Sequence, residues 1–525
     1  MNPKSLAHDL LALREHDPTW LLAGSLKGLE KESLRVSKEG TIAQTSHPHA
    51  LGSALTHPLV TTDYSEAQLE LITEPHTTPM ALMVQLDELH RWVYQNLEHH
   101  EILWATSMPC LLKGEASVRI GEYGTSNAGI MKTVYRRGLG YRYGRIMQAI
   151  SGVHYNYSLP QAYWTWRQAR SGELSDPVAY RSEGYFGTLR NLQRIGWLVP
   201  YLFGASPAIC ESFLDGKPTT LEYFGYGTYY ESFATSLRLG DIGYQNTKEG
   251  RVGVRVSYDT LEDYTASLER AISQPSAAYE QIGVCVDGEW RQLNANLLQI
   301  ENEYYSSVRA KVPLQRLEKP VRALRTRGVQ YIELRSVDVN AFEPLGISIE
   351  QLYFLETLAL YATLVESPAI GDLELRMINN NFFLVAHSGR DPDLALSRPH
   401  GKNRLRDWAE ELLSDMAEVA AVLDMAYRTD LYSTVVARQL PKVHDAGLLP
   451  STRMLEIMRS REESFFEFAL GQSRLHARYF LARPLGAGKQ AHFAQEAARS
   501  RQLQADLEAM PQAPFGEFLA SYFAQ

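Results

Sequence analysis

Four stretches of the chain alternate apolar and polar residues with period two, and in each the polar face carries charge. In Gly28–Val36, GLEKESLRV, Glu30 and Glu32 share one face, with Lys31 and Ser33 on the other. His57–Thr73 ends with Gln68, Glu70 and Ile72 opposite Leu69 and Leu71. Ile150–Pro160 sets His154, Asn156 and Ser158 against Val153, Tyr155 and Tyr157. Gly328–Asn340, GVQYIELRSVDVN, sets Tyr331, Glu333 and Arg335 against Ile332, Leu334 and Ser336. Side chains on a strand alternate faces, so each stretch predicts a strand with one polar face and one core face.

Elsewhere the apolar spacing changes to three and four. It predicts helices over 1–17, 78–99, 181–203, 259–273, 404–427, 451–471 and 491–510, and over 348–367, which a Ser348/Gln351 capping box opens. Gly121–Gly144, rich in Gly and Tyr, reads as a loop, and 284–303 reads as a hairpin turning at Asp287–Gly288. Strands and helices do not alternate regularly enough for a doubly wound sheet. The expected class is α+β: a curved, mainly antiparallel sheet with a polar concave face, backed by helices, and a largely helical part beyond about residue 346.

Composition narrows the function. The 525 residues are 45% apolar and 22% charged, which fits a globular protein with ample core. A net charge of −9 argues against nucleic acid as a partner. Cys110, Cys210 and Cys285 are too few and too scattered for a disulfide framework or a CxxC metal site, and fit a reducing cytosol. Cys110 and Cys210, in apolar surroundings, are expected to be buried and inert. The first residues carry charge and lack the apolar core of a signal peptide. The longest uncharged run, Ile195–Cys210, is too short for a bilayer span and is broken by Gly196, Pro200, Gly204 and Pro207. No membrane partner is expected. Phosphate-binding glycine motifs also fail: in Leu485–Gln490, LGAGKQ, the Gly-Lys is followed by Gln490.

The polar faces, taken together, bring Glu30, Glu32, Asp63, Glu70, His154 and Glu333 toward one concavity. Five carboxylates would repel one another there unless hard cations neutralised them, and oxygen-rich sets suit Mg²⁺ or Mn²⁺. Each residue alone has a plainer explanation. An E-x-E on a strand is usually a solvated face, and Glu333 beside Arg335 is usually an ion pair. Two readings of that strand therefore stand: a structural pair, or a carboxylate on metal beside a guanidinium on phosphate.

Several blocks carry a resemblance. GLEKESLRV, TDYSEAQLELIT, SMPC at Ser107–Cys110, YGTSNAG at Tyr123–Gly129, ISGVHYNYSLP, PYLFGASPAIC, ATSLRLGDIGY, LQIENEYY and YIELRSVDVN resemble, in order, the proteobacterial glutamate–cysteine ligases. They run from about residue 24 to 345. The resemblance implies a glutamine-synthetase-like antiparallel funnel and a single catalytic domain over 1–525, with 346–525 packed on it. It implies ATP-dependent joining of the L-glutamate γ-carboxylate to the L-cysteine amine through γ-glutamyl phosphate, the first step of glutathione synthesis, in the cytoplasm. Carried over residue by residue, Glu30, Glu32, Asp63, Glu70, His154 and Glu333 hold several Mg²⁺ ions, and Arg335 holds the transferring phosphate. Arg238 and Gln148 are candidates for the substrate carboxylate, and Tyr135, Tyr244 and Tyr64 for the cysteine pocket. The family also suggests a monomer and feedback inhibition by glutathione. The alternatives are a carboxylate–amine ligase with another acceptor, a multi-metal phosphohydrolase, and a non-catalytic metal- or nucleotide-binding protein.

Overall fold

A computed structural model of the protein describes residues 3–109, 111–243 and 254–525. All four alternating stretches contribute strands to one sheet. Its strands are β1 (Leu26–Val36), β2 (Val60–Thr62), β3 (Gln68–Ile72), β4 (Ile102–Leu103), β5 (Gly152–Ser158), β6 (Val308–Lys311) and β7 (Tyr331–Asp338). The order is β6-β7-β5-β1-β3-β2, with β4 beside the end of β1, and every pair is antiparallel.

Register decides what shares a face. Glu30 stands opposite His154, Glu32 opposite Glu70, Asn156 opposite Glu333, and Arg309 opposite Glu333 on its other side. All of these side chains therefore project from one face of the sheet. The pairing of β7 with β5 shifts between Leu334 and Val337, and such an irregularity re-aims the side chains around it, here Arg335.

The other face is the core. Leu29, Leu69, Leu71, Val153, Tyr155, Tyr157, Ile332 and Leu334 are all buried. The helix Ile349–Leu364 lies against this layer, buried without a break from Gln351 to Leu364, and it starts at the expected Ser348/Gln351 capping box. One apolar cluster takes in residues from Leu6 to Phe493. Beyond the sheet the chain is almost wholly helical, including Leu405–Tyr427, Pro450–Arg461, Phe465–Leu481, Ala487–Ala509 and Phe515–Phe523. The expected helix over 451–471 is two helices, because Ser464 and Glu467 form a second capping box that starts a new one. None of the described helices is long and apolar enough to cross a membrane.

One expectation fails. Residues 127–143, read as part of a loop, form a helix, Asn127–Tyr143, capped by the Ser126 side chain. Its glycines serve close approach rather than turning. A Cβ on Gly138 would lie 2.2 Å from Gln299 Oε1, and one on Gly140 would lie 2.8 Å from the Tyr64 hydroxyl. Tertiary packing here overrides the poor helix propensity of glycine. The hairpin is also shorter than expected. Only Cys285–Val286 and Glu289–Trp290 pair, around Asp287 and Gly288, both at positive φ.

Candidate active site

The helix Asn127–Tyr143 runs over the polar face of the sheet, and between them lies a cavity of about 630 Å³. Its wall includes Glu30, Glu32, Asp63, Glu70, His154, Glu333 and Arg335, together with Tyr64, Tyr135 and Gln148. Thus ten residues singled out in the sequence meet at one site.

The centre is a tight group of carboxylates around one imidazole. His154 Nδ1 lies 3.2 Å from Glu30 and 3.7 Å from Glu333, and its Nε2 lies 3.6 Å from Glu32. One ligand atom from each of Glu30, His154 and Glu333 falls within 4.8 Å of the other two. Asn156 Nδ2 donates to Glu30 Oε1 at 2.9 Å, and the Gly152 amide donates to Glu32 at 2.7 Å. The Glu333 side chain is fully buried, 3.1 Å from Lys311 Nζ and 3.3 Å from Arg335 Nη1. Its Oε1 is the oxygen that faces Lys311 Nζ and His154, paired by charge rather than by a well-aligned hydrogen bond.

Charge divides this cluster in two. Burial pushes the Glu333 carboxyl up, but Lys311, Arg335, His154 and Arg309 together outweigh burial and hold it well below the usual carboxylate range. Glu30 is also held low: burial and Glu333 raise it, and Lys311 and His154 more than offset them. Toward β3 the balance reverses. Burial, then Asp63, raises Glu32, against the pull of His154 and Arg238. Burial raises Glu70 well above its ordinary value, and Asp63, Glu30 and Glu32 add to the effect, opposed by Lys132. Carboxylates held directly opposite one another, as the buried Glu32 and the half-buried Glu70 are, leave a demand for positive charge. The donor set is carboxylate oxygen with one imidazole nitrogen, which suits a hard divalent cation.

Of the cations in the wall, Arg309, Lys311, Arg316 and Lys132 were not singled out in the sequence, and Arg136 could be read there either as a phosphate contact or as part of a solvated loop. Arg309 and Lys311 come from the edge strand β6, where they alternate with Val308 and Ala310; that short alternation was the available signal. Lys132 and Arg136 come from the helix taken for a loop. Both cations sit over the Tyr123 ring, at 5.0 and 4.6 Å. Burial lowers the Lys132 pKa to about 8. Arg136 donates to the Asp63 carbonyl, fixing the turn that carries this carboxylate.

Two of the sequence candidates are not among these ten. Arg238 is buried over Gly152, where a Cβ would lie 2.0 Å from its Nη2, and it is not part of the described cavity wall. Its Nη2 donates to the Arg335 carbonyl at 2.9 Å and its Nη1 to Asp338 at 3.4 Å, so most of its fork is committed to bracing β7. Tyr244 lies outside the described residues, as does Cys110. Cys210 is buried as expected, and burial pushes its thiol up to about 12, so it is inert; Cys285 is exposed.

Comparison with solved structures gives the class. The chain matches a glutamate–cysteine ligase from Francisella tularensis, solved in complex with AMP, with TM-score 0.89 and 34% identity over 96% of this chain and 98% of that one. It also matches a bifunctional glutathione synthetase from Pasteurella multocida, with TM-score 0.73 and 25% identity over 93% of this chain and 57% of that one. The fold is that of these ligases. Sequence relatives narrow this further. The glutamate-cysteine ligase family model matches residues 10–385. A glutamate–cysteine ligase from Pseudomonas paraeruginosa is 47% identical over 505 residues, 96% of this chain and 95% of the relative. One from Alcanivorax borkumensis is 44% identical over 526 residues, 99% of each. The chain belongs to the glutamate–cysteine ligase family.

Proposed function

We propose that this protein joins the γ-carboxylate of L-glutamate to the amine of L-cysteine at the expense of ATP, giving γ-glutamylcysteine, ADP and phosphate. The observation that carries the reading is the buried grouping of Glu30, His154 and Glu333 beside Lys311 and Arg335, in a member of this family. A relative that holds AMP supports a nucleotide substrate.

The chemistry explains the parts. A carboxylate has no good leaving group, so the γ-phosphoryl of ATP first passes to it, breaking the bond to ADP. The cysteine amine then attacks the acyl carbon and phosphate departs, the amine giving up a proton. Both steps develop negative charge, which donors fixed in advance stabilise best. Arg335 presents a fork of donors to the phosphoryl oxygens. Lys311, paired with Glu333, stands next to it and can turn one donor to the same oxygens. Glu30, His154 and Glu333, with Glu32, Asp63 and Glu70, would hold Mg²⁺. When bound, Mg²⁺ neutralises the charge of the phosphate chain. Gln148, Tyr64 and Tyr135 are assigned to the amino acids. Burial raises the Tyr64 and Tyr135 phenols, which keeps them neutral donors. Arg238 is assigned a bracing role under Arg335.

The continuous core supports treating residues 1–525 as one catalytic domain. Free thiols at Cys210 and Cys285 fit a reducing, cytoplasmic setting. Glutathione contains the γ-glutamylcysteine unit and would compete for the amino-acid positions.

The test is ADP release with Mg²⁺, ATP, glutamate and cysteine, each omitted in turn. Release that needs all four is expected. Release without glutamate would instead mark a phosphohydrolase, and release with another amine but not cysteine would mark a different acceptor.

A further inference from the structure

The part of the chain beyond the family match carries no candidate chemistry in its sequence, yet it returns to the site. Leu507 and Tyr522 both line the cavity, although the match stops at residue 385. The helix Phe515–Phe523 is docked there on several anchors. Its Leu519 and Tyr522 pack with Met131 and Val134 in an apolar cluster separate from the main core. Asn127 Nδ2 donates to the Ala513 carbonyl at 2.9 Å, Lys319 Nζ donates to the Phe523 carbonyl at 3.0 Å, and Phe515 meets Trp290 edge to face.

Strand direction says which end of the cavity this is. β1 and β7 are both antiparallel to β5, so they run the same way, and β2 runs with them. Leu55 precedes β2, and Leu317 follows β6, which ends opposite Tyr331 at the start of β7. Both therefore lie at the end where β1 begins. Gln148 precedes β5 and Tyr64 follows β2, so these lie at the end where β1 finishes. The overlying helix spans this length: Met131 lines the cavity near its start and Tyr143 at its end, about 18 Å apart at a helical rise of about 1.5 Å per residue.

The two ends differ in chemistry. One is mainly apolar, walled by Leu55, Met131, Ile300, Leu317, Leu507 and Tyr522 with Arg316 beside them; the other presents Gln148 and Tyr64 next to Met147. Lys311, Glu333 and Arg335 lie between them. A purine has flat apolar faces that favour aromatic and aliphatic walls, and its phosphates need cations. A nucleotide fits this cavity in one sense, with its base at the apolar end and its phosphates toward Lys311 and Arg335.

We propose that the C-terminal helix supplies, through Tyr522 with Leu507 beside it, the wall that holds the purine base of ATP. This rests on the ligase reading above and assigns the far end of the chain a part in nucleotide selection.

The experiment is calorimetric titration of AMP into the full-length protein and its Tyr522→Ala, Tyr522→Phe and Leu519→Ala variants, alongside KM for each substrate. Tyr522→Ala should weaken AMP binding and raise the KM for ATP by about tenfold, the scale of one lost base–aromatic contact. The KM values for glutamate and cysteine should stay within about twofold. Tyr522→Phe should restore AMP affinity. Leu519→Ala, which packs in the same apolar cluster without lining the cavity, should lower the melting temperature and leave AMP affinity unchanged. Unchanged AMP affinity in Tyr522→Ala, a loss shared equally by Leu519→Ala, or a loss falling on glutamate or cysteine would overturn the proposal. AMP binding does not depend on turnover. Wild-type protein that fails to release ADP with glutamate and cysteine would therefore sink the ligase reading while leaving the Tyr522 result to stand or fall separately.

Discussion

β1 carries charge on both faces, and the two faces handle it in opposite ways. On the core face, Lys27 and Glu356 pair at 2.7 Å with both side chains fully buried. Lys27 also donates to the Thr77 carbonyl at 2.8 Å, and Glu356 accepts from Tyr432 at 2.6 Å and Tyr427 at 3.0 Å. Arg35 pairs with Glu101 at 2.6 Å and donates to the Glu66 carbonyl at 2.9 Å, with its Nε left unpartnered. On the cavity face, Glu32 and Glu70 sit opposite each other, and each has its pKa raised by burial and by neighbouring carboxylates. Burial is therefore not what marks a site, because both faces bury charge. The mark is a charge set whose protein partners leave it unfinished. Lys31 is a third case. Buried beside the Ser33 hydroxyl, it settles its charge by a pKa lowered through desolvation to about 7.

The comparison can be broken first at Arg335. If it grips transferring phosphate rather than closing an ion pair, Arg335→Gln should cut kcat by about 10³, the lower scale of an arginine acting on phosphoryl transfer. Glu333 keeps Lys311 and His154, so the melting temperature should barely move. A large loss of stability with kcat retained would make the cavity face structural like the core face. The second test is Lys27→Met. Leaving Glu356 buried without its cation should cost about 3–5 kcal/mol in urea unfolding. The folded fraction should keep wild-type KM values, and a specific rise in one KM would show that the core-face pair serves the site directly.

The smallest effect is in pH. Burial, with Asp63, Glu30 and Glu32 after it, raises Glu70 well above 4.5. A carboxyl whose folded pKa exceeds its unfolded one stabilises the fold below the unfolded value. That contribution is lost as pH rises through the folded value. Without Mg²⁺, wild type should therefore lose melting temperature relative to Glu70→Gln as pH rises from about 4.5. A gap that stays constant with pH would show that Glu70 is not strained.

Much of the sheet was legible because strand alternation is local. Glu30, Glu32, Glu70, His154 and Glu333 could be placed on one face by counting twos. The helix Asn127–Tyr143 was not legible, since glycines that admit Gln299 and Tyr64 look in sequence like turn glycines. Lys132 was lost with it, and Arg136 could not be told from a solvated loop residue. The bracing contacts of Arg238 were not legible, because the sequence does not reveal that Asp338 and the Arg335 carbonyl take donors of its fork. Tyr522 was beyond reach, because an aromatic on an amphipathic helix shows only that it packs, not against what.

The claim that the cavity face is a charge set completed by cations is tested most directly by calorimetric titration of Mg²⁺ into wild type and Glu333→Gln, without nucleotide. The account predicts saturable binding in wild type, greatly weakened in Glu333→Gln while both proteins remain folded. Mg²⁺ that fails to bind wild type, or binds both proteins alike, would contradict it.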